Sequence, residues 1–411
     1  MSICMAGIDW KSANMDKREA FSFTGSQVEH LCRTIAQASG AAGCVLLSTC
    51  NRTELYLSGA GDLQPDVLLC QAAQAEGAQT MFTVRRGRDA ARHLMRVSCG
   101  LCSQILGEDQ IVSQVKRAYA IAHDAQTTDA ALSQLFRLAA TAGKKSRTQV
   151  RLSAAPLSVA GQAVALIEQK LGSLRGTRAL VIGNGEMGRL ASSLLAARGC
   201  QVTVTLRSYR HGQTIVPAGC RTIAYDERMS LVPQCDILLS ATTSPHYTVT
   251  KSDLEGMEQI PYVVCDLSMP RDIDPDIRGL SSVSTFFDMD SMGGRDAHVN
   301  IEDRKQVEDI IAEQMQELER WDNYRRALPR MEELRALLSQ RIAEDYALEQ
   351  LTAGEQAETA EKMRAAARLA ADKAAQWMLA GMQNQLDERA LEACREAILR
   401  KAPQLRDRSM I

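Results

Sequence analysis

Residues 174–188 read Leu174-Arg-Gly-Thr-Arg-Ala-Leu-Val-Ile-Gly-Asn-Gly-Glu-Met-Gly188, and their order decides the fold of the middle of the chain. Ala179 to Ile182 is an unbroken apolar run, the pattern of a strand buried on both faces of a parallel sheet. Gly183-x-Gly185-x-x-Gly188 follows at once and opens a helix that ends near Gly199. Strand, spaced glycines and helix in that order form a dinucleotide fingerprint. The glycines let the backbone approach a pyrophosphate, and the helix N-terminus offers amides and partial positive charge. Gly183, Asn184, Gly185, Glu186, Met187 and Gly188 are therefore the candidate cofactor cradle.

A second strand, Gln201-Val-Thr-Val-Thr-Leu206, follows at the expected distance. NAD binders usually end this strand in an acid that holds the ribose hydroxyls. Here Arg207, Ser208, Tyr209, Arg210 and His211 come next. Two arginines and no acid favour a 2′-phosphate, hence NADPH, with Arg207 and Ser208 as contacts; surface arginines on a loop are the bland alternative. Further strands, Asp236 to Ser240 and Tyr262 to Asp266, bracket Ala241-Thr-Thr-Ser-Pro245. That loop lies at a strand's C-terminal end, where cofactors sit in such sheets.

At 411 residues, the chain has room for two or three domains. Forty-eight Lys and Arg against 50 Asp and Glu argue against a generic polyanion binder, although one RNA docked on a local basic patch remains compatible. No run of 18 apolar residues and no basic-then-apolar N-terminus is present, so neither a spanning helix nor a signal peptide is expected. Twelve scattered cysteines fit a reducing cytoplasm better than a disulfide scaffold.

Toward the N-terminus, alternating strand and helix patterns (strands at 3–10 and 80–85, helices at 26–38 and around 65–75) indicate a small α+β unit. At its centre is Val45-Leu-Leu-Ser-Thr-Cys-Asn-Arg-Thr-Glu-Leu-Tyr-Leu57. If this stretch is extended, Ser48, Cys50, Arg52 and Glu54 share one face, and Val45, Leu47, Leu55 and Leu57 the other. A cysteine beside an arginine sits in a positive field that favours thiolate, a strong nucleophile. Arg52 could hold a substrate carboxylate through a two-pronged contact. The competing reading is a packed structural cysteine. Farther on, His93 lies on a helix over 89–97. Glu108, Gln110, Gln114 and Lys116 are dense polar groups in an apolar run, either a solvated face or a site lining. Another helix spans 130–142.

Ser48-Thr49-Cys50-Asn51-Arg52-Thr53-Glu54 resembles the signature of glutamyl-tRNA reductase, the first enzyme of C5 tetrapyrrole synthesis. His93-Leu94, Gly100-Leu101-x-Ser103, Gly107-Glu108-Asp109-Gln110-Ile111, Gln114-Val115-Lys116, Pro156-Leu-Ser-Val159 and Pro270-Arg-Asp-Ile-Asp-Pro275 match that family in order and spacing. The resemblance implies that His93 aids catalysis and that Thr49, Asn51, Arg52, Ser103, Glu108, Asp109, Gln110 and Gln114 bind the glutamyl end of the substrate. It also places Ser158 near cofactor and substrate. The chain departs from the family at Cys102, where Asp is usual, and at Gln149 and Val150, where Glu and Thr are usual. Cys99-Gly-Leu-Cys102 could bind metal or cycle redox. A zinc site needs four ligands and no second pair is evident, so the pair is read as packing.

From about 301 onward only helix signals remain. Val307, Ile310, Ile311, Met315, Leu318 and Trp321 mark one stripe, Pro329 interrupts it, and Leu334, Leu337, Leu338 and Ile342 begin another. A later segment carries Met363, Leu369, Trp377, Met378, Met382 and Leu386. The expected architecture is multidomain α/β: an α+β catalytic, glutamyl-binding domain over 1–155, a Rossmann-type NADPH-binding domain over 156–300, and an all-helical linker and dimerisation domain over 301–411. The resemblance implies glutamyl-tRNA(Glu) as substrate, a Cys50 thioester, glutamate-1-semialdehyde as product, a homodimer, and glutamate-1-semialdehyde aminomutase as a partner. The alternatives are a generic NADP dehydrogenase in which Cys50 only packs, and a catalytically silent homologue that binds glutamyl-tRNA or haem.

Overall fold

Alternating apolar residues pair four strands into an antiparallel sheet near the N-terminus: β1 (Ile3–Asp9), β2 (Gly43–Ser48), β3 (Arg52–Ser58) and β4 (Thr83–Arg86), in the order β2-β3-β1-β4. The computed structural model describes residues 2–105, 107–108, 110–150, 158–207, 215–257, 259–281, 283–292, 301–381 and 388–400. It divides into two units, Met1–Met315 and Gln316–Ile411. Six helices accompany the first sheet: α1 (Met15–Glu19), α2 (Gly25–Ser39), α3 (Pro65–Ala72), α4 (Gly87–Ser98), α5 (Ile111–Asp124) and α6 (Ala130–Gln149). α2 begins where Thr24 and Gln27 form a reciprocal capping box, which satisfies two orphan amides at once. α4 buries Ala90, Ala91, Leu94, Met95 and Val97 and packs on β1 and α6, which fixes the direction of its remaining face.

One expectation fails here. Residues 45–57 do not form a single strand; they fold back as a hairpin, with Ser48 opposite Thr53. The Thr49 hydroxyl accepts the amides of Asn51 and Arg52, each at 3.2 Å. A short hydroxyl side chain that bonds its own backbone favours a turn over a ladder. Cys50 is therefore at a hairpin tip, and alternation relates only Arg52, Glu54 and Tyr56 within β3.

The second sheet holds β5 (Arg178–Ile182), β6 (Gln201–Leu206), β7 (Arg221–Ala224), β8 (Ile237–Ser240), β9 (Val263–Asp266) and β10 (Thr285–Phe287), in the order β10-β9-β8-β5-β6-β7 with every pairing parallel. One face is covered by α7 (Val159–Leu171) and α8 (Glu186–Ala197), the other by α9 (Arg228–Leu231) and α10 (Lys251–Leu254). This is a Rossmann-type arrangement. Its strand order reverses between β5 and β8, so the crevice for a ligand opens between the loops that follow those two strands.

The last helices are α11 (Ile301–Ala343), α12 (Tyr346–Thr352), α13 (Ala357–Gly381) and α14 (Glu388–Leu399). The stripe Val307, Ile310, Ile311, Met315 and Leu318 is buried. The break expected at Pro329 does not occur, and α11 continues through it. Pro329 is exposed, while Ala327, Met331 and Leu334 on either side pack with Leu391 and offset the lost hydrogen bond. Met363, Leu369, Trp377 and Met378 are exposed; Met382 and Leu386 lie outside the described residues. Among the described residues, no helix is long and apolar enough to cross a membrane.

Candidate active site

The floor of the site is a web of buried charge on β3. Arg52 and Glu54 point the same way from a strand whose neighbours are fully buried, so they must satisfy each other. Arg52 Nη1 donates to Glu54 Oε1 at 2.9 Å, and Nη2 donates to the Cys102 carbonyl at 2.5 Å. Tyr56, two residues on, donates its hydroxyl to Glu54 Oε2 at 2.6 Å. His93 reaches in from α4, with Nε2 2.9 Å from Glu54 Oε1. Burial pushes the Glu54 carboxyl upward, but His93 and Arg52 outweigh it and hold the group well below the ordinary value of 4.5. An ionised carboxylate only accepts, so His93 Nε2 carries a proton and its other nitrogen, Nδ1, is left for a reactant.

Two expectations for this corner need correction. Arg52 is not an open fork for a substrate carboxylate: it is 2% exposed, and both terminal nitrogens are engaged. Nor does it bring the thiol to a thiolate. Burial, followed by the Glu108 carboxylate, pushes Cys50 up to about 12, and Arg18 and Arg52 pull down without offsetting them. The resting group is a thiol.

The loop before α5 closes over the tip. Gly100 has φ +74°, and a Cβ there would meet the Gly107 backbone at 2.8 Å, so the loop can fold back on itself only with a glycine at this position. The fold-back buries Ser103 and Glu108; Gln110 stands at the start of α5 and Gln114 one turn on. Gln110 Nε2 donates to Glu186 of the glycine-rich turn at 3.4 Å. Asp109 lies outside the described residues. Asn51 and Ser103 are 5% exposed, and Asn51 Oδ1 and Ser103 Oγ have no partner among the described residues. Thr49 is spent on the turn.

Sequence reasoning gave no role to Arg18, which is 4% exposed. Its Nη2 donates to Asp290 at 2.6 Å; Nε and Nη1 are buried without a partner among the described residues. Of the two arginines that act on the Cys50 thiol, it acts more strongly. Arg271 likewise donates its backbone amide to Glu19 at 2.6 Å and its side chain to Asp16 at 2.5 Å. These contacts join α1 to the parallel-sheet region across about 250 residues of sequence, so no local pattern announces them. The pairing of Arg52, Glu54 and Tyr56 did have a local signal: three polar groups at alternate positions of a strand that also carries Leu55 and Leu57.

On the nucleotide side, Gly183 has φ +106°, and a Cβ there would meet the Ala241 carbonyl at 2.5 Å. A Cβ at Gly185 would meet nothing within 4 Å, which leaves open space at the N-terminus of α8 for a pyrophosphate. Asn184 donates to the Ile215 carbonyl at 3.0 Å, and its buried Oδ1 has no partner among the described residues. Glu186 begins α8, followed by Met187 and by Gly188, where a Cβ would strike the Gly183 carbonyl. Arg207 stacks on Tyr225 at 4.7 Å from the ring centre; Ser208 lies outside the described residues. Ser158 caps α7, accepting the Gly161 amide at 3.1 Å. These features fit a dinucleotide. Cys50 packs against the apolar cluster on the α7 and α8 face of the sheet, whose rim includes Met187 and Met269. The thiol and Met187 of the glycine-rich turn thus border one apolar cluster.

Residues 6–150 match the family model for the glutamyl-tRNAGlu reductase N-terminal domain, and residues 165–293 match that for shikimate / quinate 5-dehydrogenase. The glutamyl-tRNA reductase of Acetivibrio thermocellus is 42% identical over 335 residues, covering 80% of this chain and 99% of that protein. A probable multifunctional siroheme biosynthesis protein of Ruminiclostridium josui is 41% identical over 330 residues, and the match spans 79% of this chain but only 64% of that longer protein. Among solved structures, glutamyl-tRNA reductase from Methanopyrus kandleri is 28% identical, covering 97% of this chain and 98% of that one, with a TM-score of 0.45. With its thiol-tipped hairpin, its glycine-rich turn and this extent of identity, the chain belongs to the glutamyl-tRNA reductase family.

Proposed function

We propose that the chain reduces glutamyl-tRNA(Glu) to glutamate-1-semialdehyde through a thioester on Cys50, with NADPH as reductant. The observation that carries the reading is that Cys50 packs against the same apolar cluster of the Rossmann sheet as Met187 of the glycine-rich turn. As Cys50 sulfur attacks the ester carbonyl, its proton passes to His93 Nδ1; the carbon–oxygen bond to the terminal ribose breaks, and Nδ1 returns that proton to the departing hydroxyl. NADPH, when bound, would supply the hydride that reduces the thioester carbon. The carbon–sulfur bond then breaks, the sulfur regains a proton, and the aldehyde leaves.

The remaining side chains hold the substrate. Asn51 Oδ1 and Ser103 Oγ are buried acceptors awaiting a donor, and Arg18 offers two buried N–H-bearing nitrogens to an anion. A substrate ammonium set against Glu108 removes the second of the two influences that keep the thiol protonated. Arg52 acts through Glu54 and the Cys102 carbonyl, as a positioning residue. On the NADPH side, Gly183 to Gly188 would hold the pyrophosphate and Arg207 the 2′-phosphate. Residues 1–155, 156–300 and 301–411 serve as the glutamyl-binding, NADPH-binding and dimerisation domains of a cytoplasmic homodimer that passes its product to glutamate-1-semialdehyde aminomutase.

The test is to incubate the protein with glutamyl-tRNA in the absence of NADPH and digest it. Mass spectrometry should find a glutamyl adduct on the peptide that contains Cys50, and Cys50→Ser should lower kcat at least about a thousandfold. No adduct, together with a Cys50→Ser variant that still forms semialdehyde, would mean that Cys50 only packs.

A further inference from the structure

A near-neutral chain carries one strongly basic pair of helices. α5 and α6 together carry Lys116, Arg117, Arg137, Lys144, Lys145 and Arg147 against a single acid, Asp124, at the far end of α5. The whole chain, by contrast, has 48 basic and 50 acidic residues, so this is a local concentration and not a bulk property. The two helices pack on each other. Their contact brings Lys116 of α5 against Lys144 of α6 with no carboxylate between them: the Lys144 ammonium, ahead of slight burial, draws Lys116 below its ordinary value. Two like charges held together at an exposed surface repel, and folding gains nothing from them. Such a pair is stable only at a cost that an anion would remove.

Three acids on these and adjoining elements are already committed. Asp129 caps α6 by accepting the Leu132 amide at 2.9 Å, Glu313 takes Lys145 at 2.9 Å, and Glu29 takes Arg33 at 2.7 Å. Among the described residues, no ion pair engages Lys116, Arg117, Arg137 or Lys144. Arg137 and Lys144 are seven residues apart on α6, hence on one face and separated by about 10 Å. Arg117 lies beside the start of α2, near Gly25.

The position of this face relative to the chemistry selects the anion. α5 begins directly after the loop that buries Ser103 and Glu108 and ends at Gln110. Lys116 is six residues beyond Gln110, roughly 9 Å along the helix axis. A substrate whose ester is held at Cys50 and whose other end is a phosphodiester chain would run its backbone past this point.

We infer that the exposed face formed by Lys116, Arg117, Arg137 and Lys144 is the surface on which the chain holds the phosphate backbone of its RNA substrate, next to the esterified end. The inference rests on glutamyl-tRNA being the substrate and adds the place where the protein touches the RNA. It assigns these side chains to binding, not to the chemical step. Phosphate contacts of this kind carry little sequence information and depend steeply on salt.

The test uses the full-length protein and uncharged tRNA(Glu), with binding followed by fluorescence anisotropy across a salt series. Lys116→Glu/Lys144→Glu should weaken binding by about 10- to 100-fold at low salt and flatten the slope of log K against log salt by roughly 1.4 to 1.8. It should raise KM for glutamyl-tRNA while leaving kcat at saturation within about twofold. Lys116→Ala/Lys144→Ala, which removes repulsion without adding charge, provides a gentler variant with the same direction of effect. Lys251→Glu, on α10, should bind like wild type. Wild type that binds tRNA and makes semialdehyde, beside a double variant with unchanged affinity and slope, would overturn the surface and leave the reaction standing. Wild type that makes no semialdehyde from charged tRNA and binds none would overturn both.

Discussion

The hairpin tip and the glycine-rich turn border one apolar cluster but are made of different material. Behind Gly183 the protein presents backbone: an amide-rich helix start, two glycines where a Cβ would collide, and one where it would meet nothing. Around Cys50 it presents side chains gathered from α1, β3, α4 and the loop before α5. Four of these, Arg52, Glu54, Tyr56 and His93, are tied by hydrogen bonds of 2.6 to 2.9 Å. A backbone site is fixed by local conformation and is disrupted by adding an atom. A site of buried charges is fixed by mutual neutralisation and is disrupted by removing one.

That contrast can be broken most severely at Glu54. Glu54→Gln leaves Arg52 buried without its counter-charge, and a buried pair that loses one partner costs about 3–5 kcal/mol. The expected outcome is an apparent Tm lower by several degrees and a kcat lower by about 100-fold or more, because His93 loses the acceptor that fixes its tautomer. Tyr56→Phe removes a neutral donor and should cost only about 1 kcal/mol. Glu54 is held below its ordinary value of 4.5, so its contribution is present above that value and is lost as the pH falls below it. The Tm gap between wild type and Glu54→Gln should therefore narrow on the acid side. An acid-independent gap, or none at all, would remove the charge web from the account.

The next largest effect separates the two glycines. Gly183→Ala introduces a Cβ at φ +106° and 2.5 Å from the Ala241 carbonyl, so it should cost about 1–3 kcal/mol in stability and abolish NADPH binding. Gly185→Ala meets nothing in the free protein and should keep the Tm while weakening NADPH binding, since the added methyl occupies space meant for the ligand. Equal losses of Tm in the two variants would show that the distinction drawn from the backbone is wrong.

The smallest effect concerns the thiol itself. With Cys50 pushed up to about 12, its alkylation by iodoacetamide should rise about tenfold per pH unit from about pH 7 to about pH 10, without the plateau an ordinary thiol shows near 8.5. Mass spectrometry of the Cys50 peptide gives the rate. A plateau below about pH 9 would restore the thiolate that the hairpin's arginines were expected to favour.

The parallel sheet was legible in the sequence because its signals are local: an apolar run, spaced glycines and a helix, all within about 25 residues. The hairpin was not, since apolar residues on both sides of Cys50 suit one strand as well as two; the Thr49 hydroxyl decides between them by capping the turn. The residue types of the catalytic corner were readable, and their pairing was not. Arg52 has the chemistry to bind a substrate carboxylate, yet Glu54 and the Cys102 carbonyl occupy it. Arg18 carries no motif, and only its burial beside Cys50 shows what it offers.

The sequence alone determined that a dinucleotide turn and a candidate nucleophile exist in this chain, because glycine geometry and thiol chemistry are properties of the residues themselves. The tertiary structure decided which charges neutralise one another, that the resting sulfur keeps its proton, and that Lys116 of α5 comes beside Lys144 of α6. Those are consequences of distance and burial. Coulomb energies depend on what stands beside a charge and on how much water is excluded, and neither is written in the order of the residues.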